Sequence, residues 1–496
     1  MKKYTLELVA FISGAVVMIL ELTGSRILAP HLGTSLFVWT SLIGIILGSL
    51  SLGYYLGGKI ADRKASFEKL ALILFISSIL ILLSGLTKDF ILLFIENNVS
   101  EIRISAVMAS IILFGPASIF LGMVSPYCVK LKTHSLEKTG STVGNLYAIS
   151  TIGSIFGTFL AGFYLISHFG STKLIFILAA LMLLCSLIAF SKQFVKTKLA
   201  ILVMITLELV SLTMKENALA KSGYIETDTD YNHIRIYDTT YNRTGDQIRV
   251  LDIGKTFNSA MLLDENRKNE LVFPYMKFYN IVKYFNPDLK TALMIGGGTY
   301  SYPKSFLKDF STATMDVVEI DPGLTALAKQ HFALEENPRM QIYHEDGRTF
   351  LNTTKNKYDV IFGDAFRSFY SIPQQLTTIE SVKKMHEILN EKGVILINVI
   401  SAIEGDSGKF LRAEYATFKE VFPTVYVFPI NHPRDGSIVQ NIMLIALKSE
   451  EEISLESDDK VLNSYLNQLW EKEITNDIPI LTDDFAPVDQ YINEML

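Results

Sequence analysis

Two textures divide the chain. Up to about residue 214, apolar runs of about 20 residues recur between short polar breaks, the length a helix needs to cross a bilayer. Seven such runs stand at residues 5–25, 35–57, 69–87, 104–125, 142–166, 173–192 and 198–214, and they predict a multi-span α-helical membrane bundle. Lys215 to Lys221 then reads as a polar linker, ending near residue 223. From residue 224 to 290 apolar and polar positions alternate as in β-hairpins, with Asn242 to Asp246 as a turn, before a helix expected over 266–286. From 291 onward, short apolar strands alternate with helical stretches, the signature of a parallel sheet. Strands are expected at 291–295, 315–319, just before His344, at 358–364, 394–399, 424–429 and 440–447, with helices at 377–390 and 408–421. The expected domains are therefore 1–214, a linker 215–223, a β-rich segment 224–290 and an α/β Rossmann-like domain 291–496.

Within the apolar runs small residues recur four apart: Gly44 and Gly48, Gly53 and Gly57, Gly153 and Gly157. That spacing lets helices approach backbone to backbone in lipid. Glu21 ends an apolar run, with Arg26 about one turn beyond as an expected partner. Residues 90–97 read as interfacial or re-entrant, and Met1–Lys2–Lys3 opens a first span that lacks a small-residue cleavage pattern.

Composition narrows the classes. Hydrophobic residues make up 49% of the chain, which suits a membrane protein, while a net charge of −6 and no basic stripe in the second half give no reason to expect nucleic acid. Cys128 and Cys185 both fall at or inside spans, which leaves neither a disulfide framework nor a thiolate zinc site. His331 and His344 match no ligand spacing, so no metal is expected.

The chemistry concentrates between residues 291 and 364. The first strand runs into Gly296, Gly297 and Gly298, where the backbone can turn tightly and approach a ligand without Cβ interference. Glu319 follows about 20 residues later at the tip of the second strand, where a carboxylate can take both hydroxyls of a ribose. Asp321 stands beside it, Asp346 and Gly347 follow the third strand, and Asp364 ends the fourth. Acids at consecutive strand ends line one carboxyl-edge crevice, which predicts a nucleoside site.

These residues resemble the spermidine synthase (polyamine aminopropyltransferase) family, which has the S-adenosylmethionine-dependent class I methyltransferase fold, and within it the membrane-fused branch. The resemblance covers about residues 224 to 450. It rests on Gly296 to Pro303, on Val318 to Pro322, on Asp364–Ala365–Phe366 with Leu376–Thr377–Thr378, and on Leu481 to Asp489 near the C-terminus. It implies seven strands in the methyltransferase order. By that likeness Glu319 holds the ribose, Asp346 the adenine amino group, and Asp364 binds and deprotonates the attacking amine. Tyr275 and Asn258 become candidate pocket residues, and Asp483 or Asp484 a candidate to reach the pocket. Two positions depart from the family. Thr299 stands where an acid would grip the ammonium of decarboxylated S-adenosylmethionine, and Arg367 where a second acid would follow the catalytic one. Arg367 would repel a doubly cationic diamine and can pair in a fork with the carboxylate of intact S-adenosylmethionine.

The resemblance thus implies an integral-membrane, aminopropyltransferase-like enzyme acting on S-adenosylmethionine or its decarboxylated form and releasing methylthioadenosine. A lyase or cyclase on the intact substrate, a methyltransferase, and a non-catalytic nucleoside-sensing or transport protein are the alternatives. Expected partners are a small-molecule substrate and the lipid bilayer, with a homodimer left open. Clusters of Lys and Arg at Lys59 to Lys69, Lys130 to Lys138 and Lys192 to Lys198 place the N-terminus inside, which with seven spans puts the second half outside. A cytosolic substrate argues the reverse, and we expect a cytoplasmic catalytic domain on a multi-pass protein of the cell membrane.

Overall fold

The computed structural model describes residues 4–99, 101–133, 139–190, 192, 194–221, 223–253, 256–365, 372–450 and 454–495. The chain divides into two compact units, Met1–His233 and Ile234–Leu496.

The first unit is helical: α1 (Thr5–Leu32), α2 (Leu36–Lys64), α3 (Phe67–Asn98), α4 (Ile102–Leu113), α5 (Gly115–Lys132), α6 (Thr139–Leu160), α7 (Ile166–Phe169), α8 (Ser171–Ala189) and α9 (Val195–Lys221). A π-turn at Ala161–Leu165 joins α6 to α7. The short strand β1 (Ile225–Asp228) follows α9. Among the described residues, six helices are long and apolar enough to cross a membrane, counting Thr139–Phe169 as one. The run expected at 104–125 is no straight span. It is split into α4 and α5 with a 52° bend, because Pro116 in the first turn of α5 has no N–H to continue the ladder of α4. Residues 90–97 form no re-entrant turn; they continue α3 without a break. Lys215 to Lys221 likewise continue α9 and are not a linker, since they hold no proline or glycine to stop a helix.

Glycines set how closely these helices approach. A Cβ on Gly53 would lie 2.2 Å from the Ile119 carbonyl oxygen of α5, and one on Gly57 would lie 2.7 Å from Met123 Cα. A Cβ on Gly153 would sit 2.1 Å from the Phe11 carbonyl oxygen of α1, and one on Gly157 would sit 2.6 Å from that of Ala15. The α2–α5 and α1–α6 pairs are therefore backbone-to-backbone contacts of the small-residue type. Gly44 and Gly48 are not part of such a contact, because nothing lies within 4 Å of their Cβ positions. Arg26 does not pair with Glu21; its guanidinium donates to the Asp230 carbonyl oxygen instead.

The second unit opens with an antiparallel meander, β2 (His233–Thr240), β3 (Gln247–Ile253) and β4 (Thr256–Leu262), in which Thr240 faces Gln247 across the turn. The helix expected over 266–286 is reduced to α10 (Pro274–Phe278), a 3-10 turn at Tyr279–Ile281 and α11 (Val282–Phe285). Polar residues 264–270 form turns ahead of Pro274, and the proline sets the true start.

The rest builds one seven-stranded sheet: β5 (Thr291–Ile295), β6 (Thr314–Val318), β7 (Met340–Tyr343), β8 (Tyr358–Gly363), β9 (Leu389–Ser401), β10 (Thr424–Pro429) and β11 (Gln440–Leu447). Around it lie α12 (Ser301–Asp309), α13 (Pro322–His331), α14 (Gly347–Thr353), α15 (Ile379–Ile388), α16 (Lys409–Lys419), α17 (Lys460–Leu466) and α18 (Val488–Asn493). The strand order is β10-β11-β9-β8-β5-β6-β7, with β11 antiparallel to both neighbours and the others parallel. Both faces are buried, which is why these strands read as continuous apolar runs. Ala292 and Met294 join the core on one face and Leu293 and Ile295 that on the other. Strand order reverses at β5, with β6 on one side and β8 on the other. The carboxyl ends there form the crevice in which open α/β sheets hold ligands.

Candidate active site

At that crevice lies a cavity of about 760 Å³, of the size that takes a small-molecule ligand. The glycine turn forms its floor. Gly296 has φ +98°, and a Cβ there would stand 2.5 Å from the Asp364 carbonyl oxygen, so both conformation and space require glycine. A Cβ on Gly297 would meet the Tyr300 ring at 2.7 Å. Gly298 has φ +55° and completes the turn into α12.

Glu319, one residue past β6, is buried at 4% exposure and reaches across to this turn. Its Oε2 accepts the Gly297 N–H at 2.9 Å and the Gly298 N–H at 3.4 Å, while Oε1 accepts the Asp321 N–H at 2.9 Å. One carboxylate therefore fixes the glycine loop and the start of α13 and still lines the cavity. Asp321 does not line it. Its side chain caps α13, accepting from Gly323 N at 3.0 Å and Leu324 N at 3.3 Å, the work that Asp commonly does at a helix start.

Asp346 both caps a helix and lines the cavity. Oδ1 accepts from Arg348 N at 2.9 Å and Thr349 N at 3.1 Å, and Oδ2 from Gln375 Nε2 at 3.1 Å. Gly347 lines the wall beside it, where a Cβ would press on Ile295 Cγ2 at 2.9 Å. Arg348 in turn donates to the Gln375 carbonyl oxygen at 3.1 Å and to Asp483 Oδ2 at 2.8 Å. Asp483 thus buttresses the Asp346 loop from behind. Asp484 is exposed and, like Asp483, lines no part of the cavity.

Asp364 follows β8 on the opposite side of the switch point. Its N–H donates to Ile295 O at 2.9 Å, which ties it to the glycine strand. Oδ1 accepts from Asn398 Nδ2 at 3.1 Å, and Asn398 Oδ1 accepts from Asn441 Nδ2 at 3.0 Å, so the Asn398 amide can present only its donor to the carboxylate. Burial raises the Asp364 carboxyl to about 6, against the opposing pull of the Asn398 and Tyr275 hydrogen bonds. Tyr275 is held well above the usual phenol range, first by burial and then by the charge of Asp364, so it stays a donor. Its hydroxyl donates to the Asn258 carbonyl oxygen at 2.9 Å, and both residues line the cavity. Asn258 spends its amide oxygen on Ile253 N at 2.7 Å.

Two further expectations meet different ends. Thr299 is fully buried behind the cavity, with its hydroxyl bonded to Ser259 and, at 2.7 Å, to Ser301. It is thereby removed from substrate contact. Arg367 lies outside the described residues.

The far wall is not readable from motifs. The ends of β9 and β11 and the loop between β10 and β11 bring Asn398, Asn441, Gln440, Asn431 and His432 to the cavity, and the β2–β3 turn adds Arg243. An Asn within the apolar run 394–399 of a central strand was the one local signal available.

Residues 276–454 match the spermine/spermidine synthase domain. The polyamine aminopropyltransferase of Vibrio vulnificus is 28% identical over 233 residues, which cover 44% of this chain and 75% of that protein. The polyamine aminopropyltransferase of Alkaliphilus metalliredigens is 28% identical over 193 residues, covering 38% of this chain and 67% of its own. Among solved structures, a probable spermidine synthase from Corynebacterium glutamicum aligns with a TM-score of 0.41 at 22% identity, over 50% of this chain and 88% of that one. Spermidine synthase from Thermotoga maritima aligns with a TM-score of 0.36 at 20% identity, over 55% and 87%. Residues 276–454 thus match the spermine/spermidine synthase domain and are similar in sequence to polyamine aminopropyltransferases, and N-terminal to them the chain carries helices apolar enough to span a membrane.

Proposed function

We propose that the protein transfers the three-carbon chain of an S-adenosylmethionine-type sulfonium to an amine and releases methylthioadenosine. The observation that carries this reading is Asp364, a carboxyl raised to about 6 at the switch point, across one cavity from Glu319 and the glycine turn. The residues fit a nucleoside sulfonium on their own terms. Gly296 and Gly297 have no room for side chains, and Glu319 and Asp346 line the crevice with acceptor oxygens suited to ribose hydroxyls and an adenine amino group.

The sulfonium makes its neighbouring carbon electrophilic, so the protein's part is to orient the amine and take its proton. The amine nitrogen forms a bond to the carbon next to sulfur, and the carbon–sulfur bond breaks with its electron pair going to sulfur. That leaves a neutral thioether, and the new ammonium gives its proton to Asp364. Asn398 donates to the carboxylate and holds it in place for this transfer.

We place the helical unit in the cell membrane, with the catalytic unit facing the cytoplasm where the donor is made. Incubating the full-length protein with donor labelled in the three-carbon chain and with an amine tests the transfer. Label recovered in the amine supports it. Label recovered in a methylated product from methyl-labelled donor would point to methyl transfer instead.

A further inference from the structure

The charges lining the cavity are unevenly placed. Its three carboxylates, Glu319, Asp346 and Asp364, all stand at strand ends β6, β7 and β8. Among the described residues the other polar groups of the lining include amides, an imidazole and one guanidinium, that of Arg243. Arg243 projects from the turn between β2 and β3 and forms no ion pair among the described residues. Both terminal nitrogens of its fork point at one neutral acceptor, Asn431 Oδ1, at 3.3 and 3.4 Å. Asn431 is in turn fixed by its own N–H, which donates to Gln440 Oε1 at 2.9 Å.

We infer that Arg243, seated on Asn431, forms a carboxylate-binding end of the cavity, so that the ligand held between Asp364 and Arg243 carries an amine or sulfonium at one end and a carboxylate at the other. This inference rests on the proposed reaction for the identity of the nucleoside end. A guanidinium whose fork is spent on one amide oxygen at long range keeps its charge unneutralised and exchanges that contact readily for a bidentate carboxylate. A diamine bound at Asp364 would instead bring its far ammonium toward Arg243, where the described lining residues supply no further carboxylate to offset it. The carboxylate can belong to the donor, as in intact S-adenosylmethionine, or to an amino-acid acceptor.

Calorimetry on the full-length, detergent-solubilised protein separates the two sources without requiring turnover. Intact and decarboxylated S-adenosylmethionine are titrated first. Then, with methylthioadenosine filling the nucleoside end, 2,5-diaminopentanoate is compared with 1,4-diaminobutane. Losing a charge-assisted pair should weaken the carboxylate ligand by about tenfold to a hundredfold in Arg243→Ala, with its decarboxylated counterpart unchanged or tighter. The effect on the first pair assigns the carboxylate to the donor, and on the second pair to the acceptor. Arg243→Lys should restore part of the loss, which a misfolded turn would not. If Arg243→Ala leaves both preferences as they are in the unaltered protein, the inference fails. Failure of the labelled-donor transfer assay would sink the proposed transfer alone, because this binding comparison stands without it.

Discussion

Replacing Asp364 with Asn removes the proton acceptor while keeping size and the Asn398 contact. If Asp364 takes the amine's proton, turnover should fall by roughly 10²- to 10⁴-fold, the usual worth of a positioned base, or about 3–5 kcal/mol in the barrier. Nucleoside binding should persist, since Glu319 and Asp346 are untouched. The pH profile carries a second signature. With the carboxyl at about 6, kcat/KM should rise with pH up to about 6 and then level off, and the variant should lose that limb. The same shift has a stability consequence of opposite sense. A carboxyl raised from 3.8 to about 6 binds its proton more tightly in the folded state. Its stabilising contribution is complete below the unfolded value and is lost as pH rises through the folded one. About two units at 1.36 kcal/mol each is about 3 kcal/mol, and partial solvent access brings this to roughly 1–3 kcal/mol. Asp364→Asn should therefore stabilise the second unit at pH 8 relative to pH 4 by that amount. Trp470, buried in that unit, reports its unfolding by fluorescence in a Trp39→Phe background. Turnover within threefold of the original with an unchanged pH limb would remove Asp364 from the role of base.

Three other expectations follow from the same geometry. Glu319→Gln should weaken binding of methylthioadenosine by about tenfold or more in calorimetry, because it takes charge from the carboxylate that anchors the Gly297 and Gly298 N–H groups; unchanged affinity would mean Glu319 serves the loop alone. Gly296→Ala combines a forbidden φ with a 2.5 Å clash and should cost about 1–3 kcal/mol or abolish binding, read as a lower unfolding midpoint of the second unit. Gly153→Leu should lower the thermal stability of the detergent-solubilised helical unit, whereas Gly48→Leu, which faces open space, should leave it within about 0.5 kcal/mol.

Much of the second unit could be read along the chain because its signals are local. β10 and β11 occupy residues 424–429 and 440–447 as their apolar runs indicate, and the glycine turn and Asp364 stand where strand ends put them. Acids were harder to sort. Asp321 and Asp346 both begin helices, and only the second also opens onto the cavity, a difference set by the direction of the following turn. Thr299 sits directly after the glycines yet turns away, because Ser259 and Ser301 take its hydroxyl. The far wall was invisible for a plainer reason. Arg243, Asn398, Asn431 and Asn441 are brought together from separate hairpins and strands, and no spacing in the chain encodes that meeting. In the helical unit, length and apolarity predicted six long apolar helices and missed the break in 104–125, and they carried no mark of which glycines face a neighbour. Gly53 and Gly44 look alike in sequence and differ only in what packs against them.

The most direct test is the identity of the nucleoside left after reaction. Purified full-length protein is incubated with intact or decarboxylated S-adenosylmethionine, with and without an added amine, and the products are separated by chromatography. The account predicts methylthioadenosine whose formation depends on the amine and slows by roughly 10²- to 10⁴-fold in Asp364→Asn. S-adenosylhomocysteine, or methylthioadenosine formed equally fast without any amine, would contradict it.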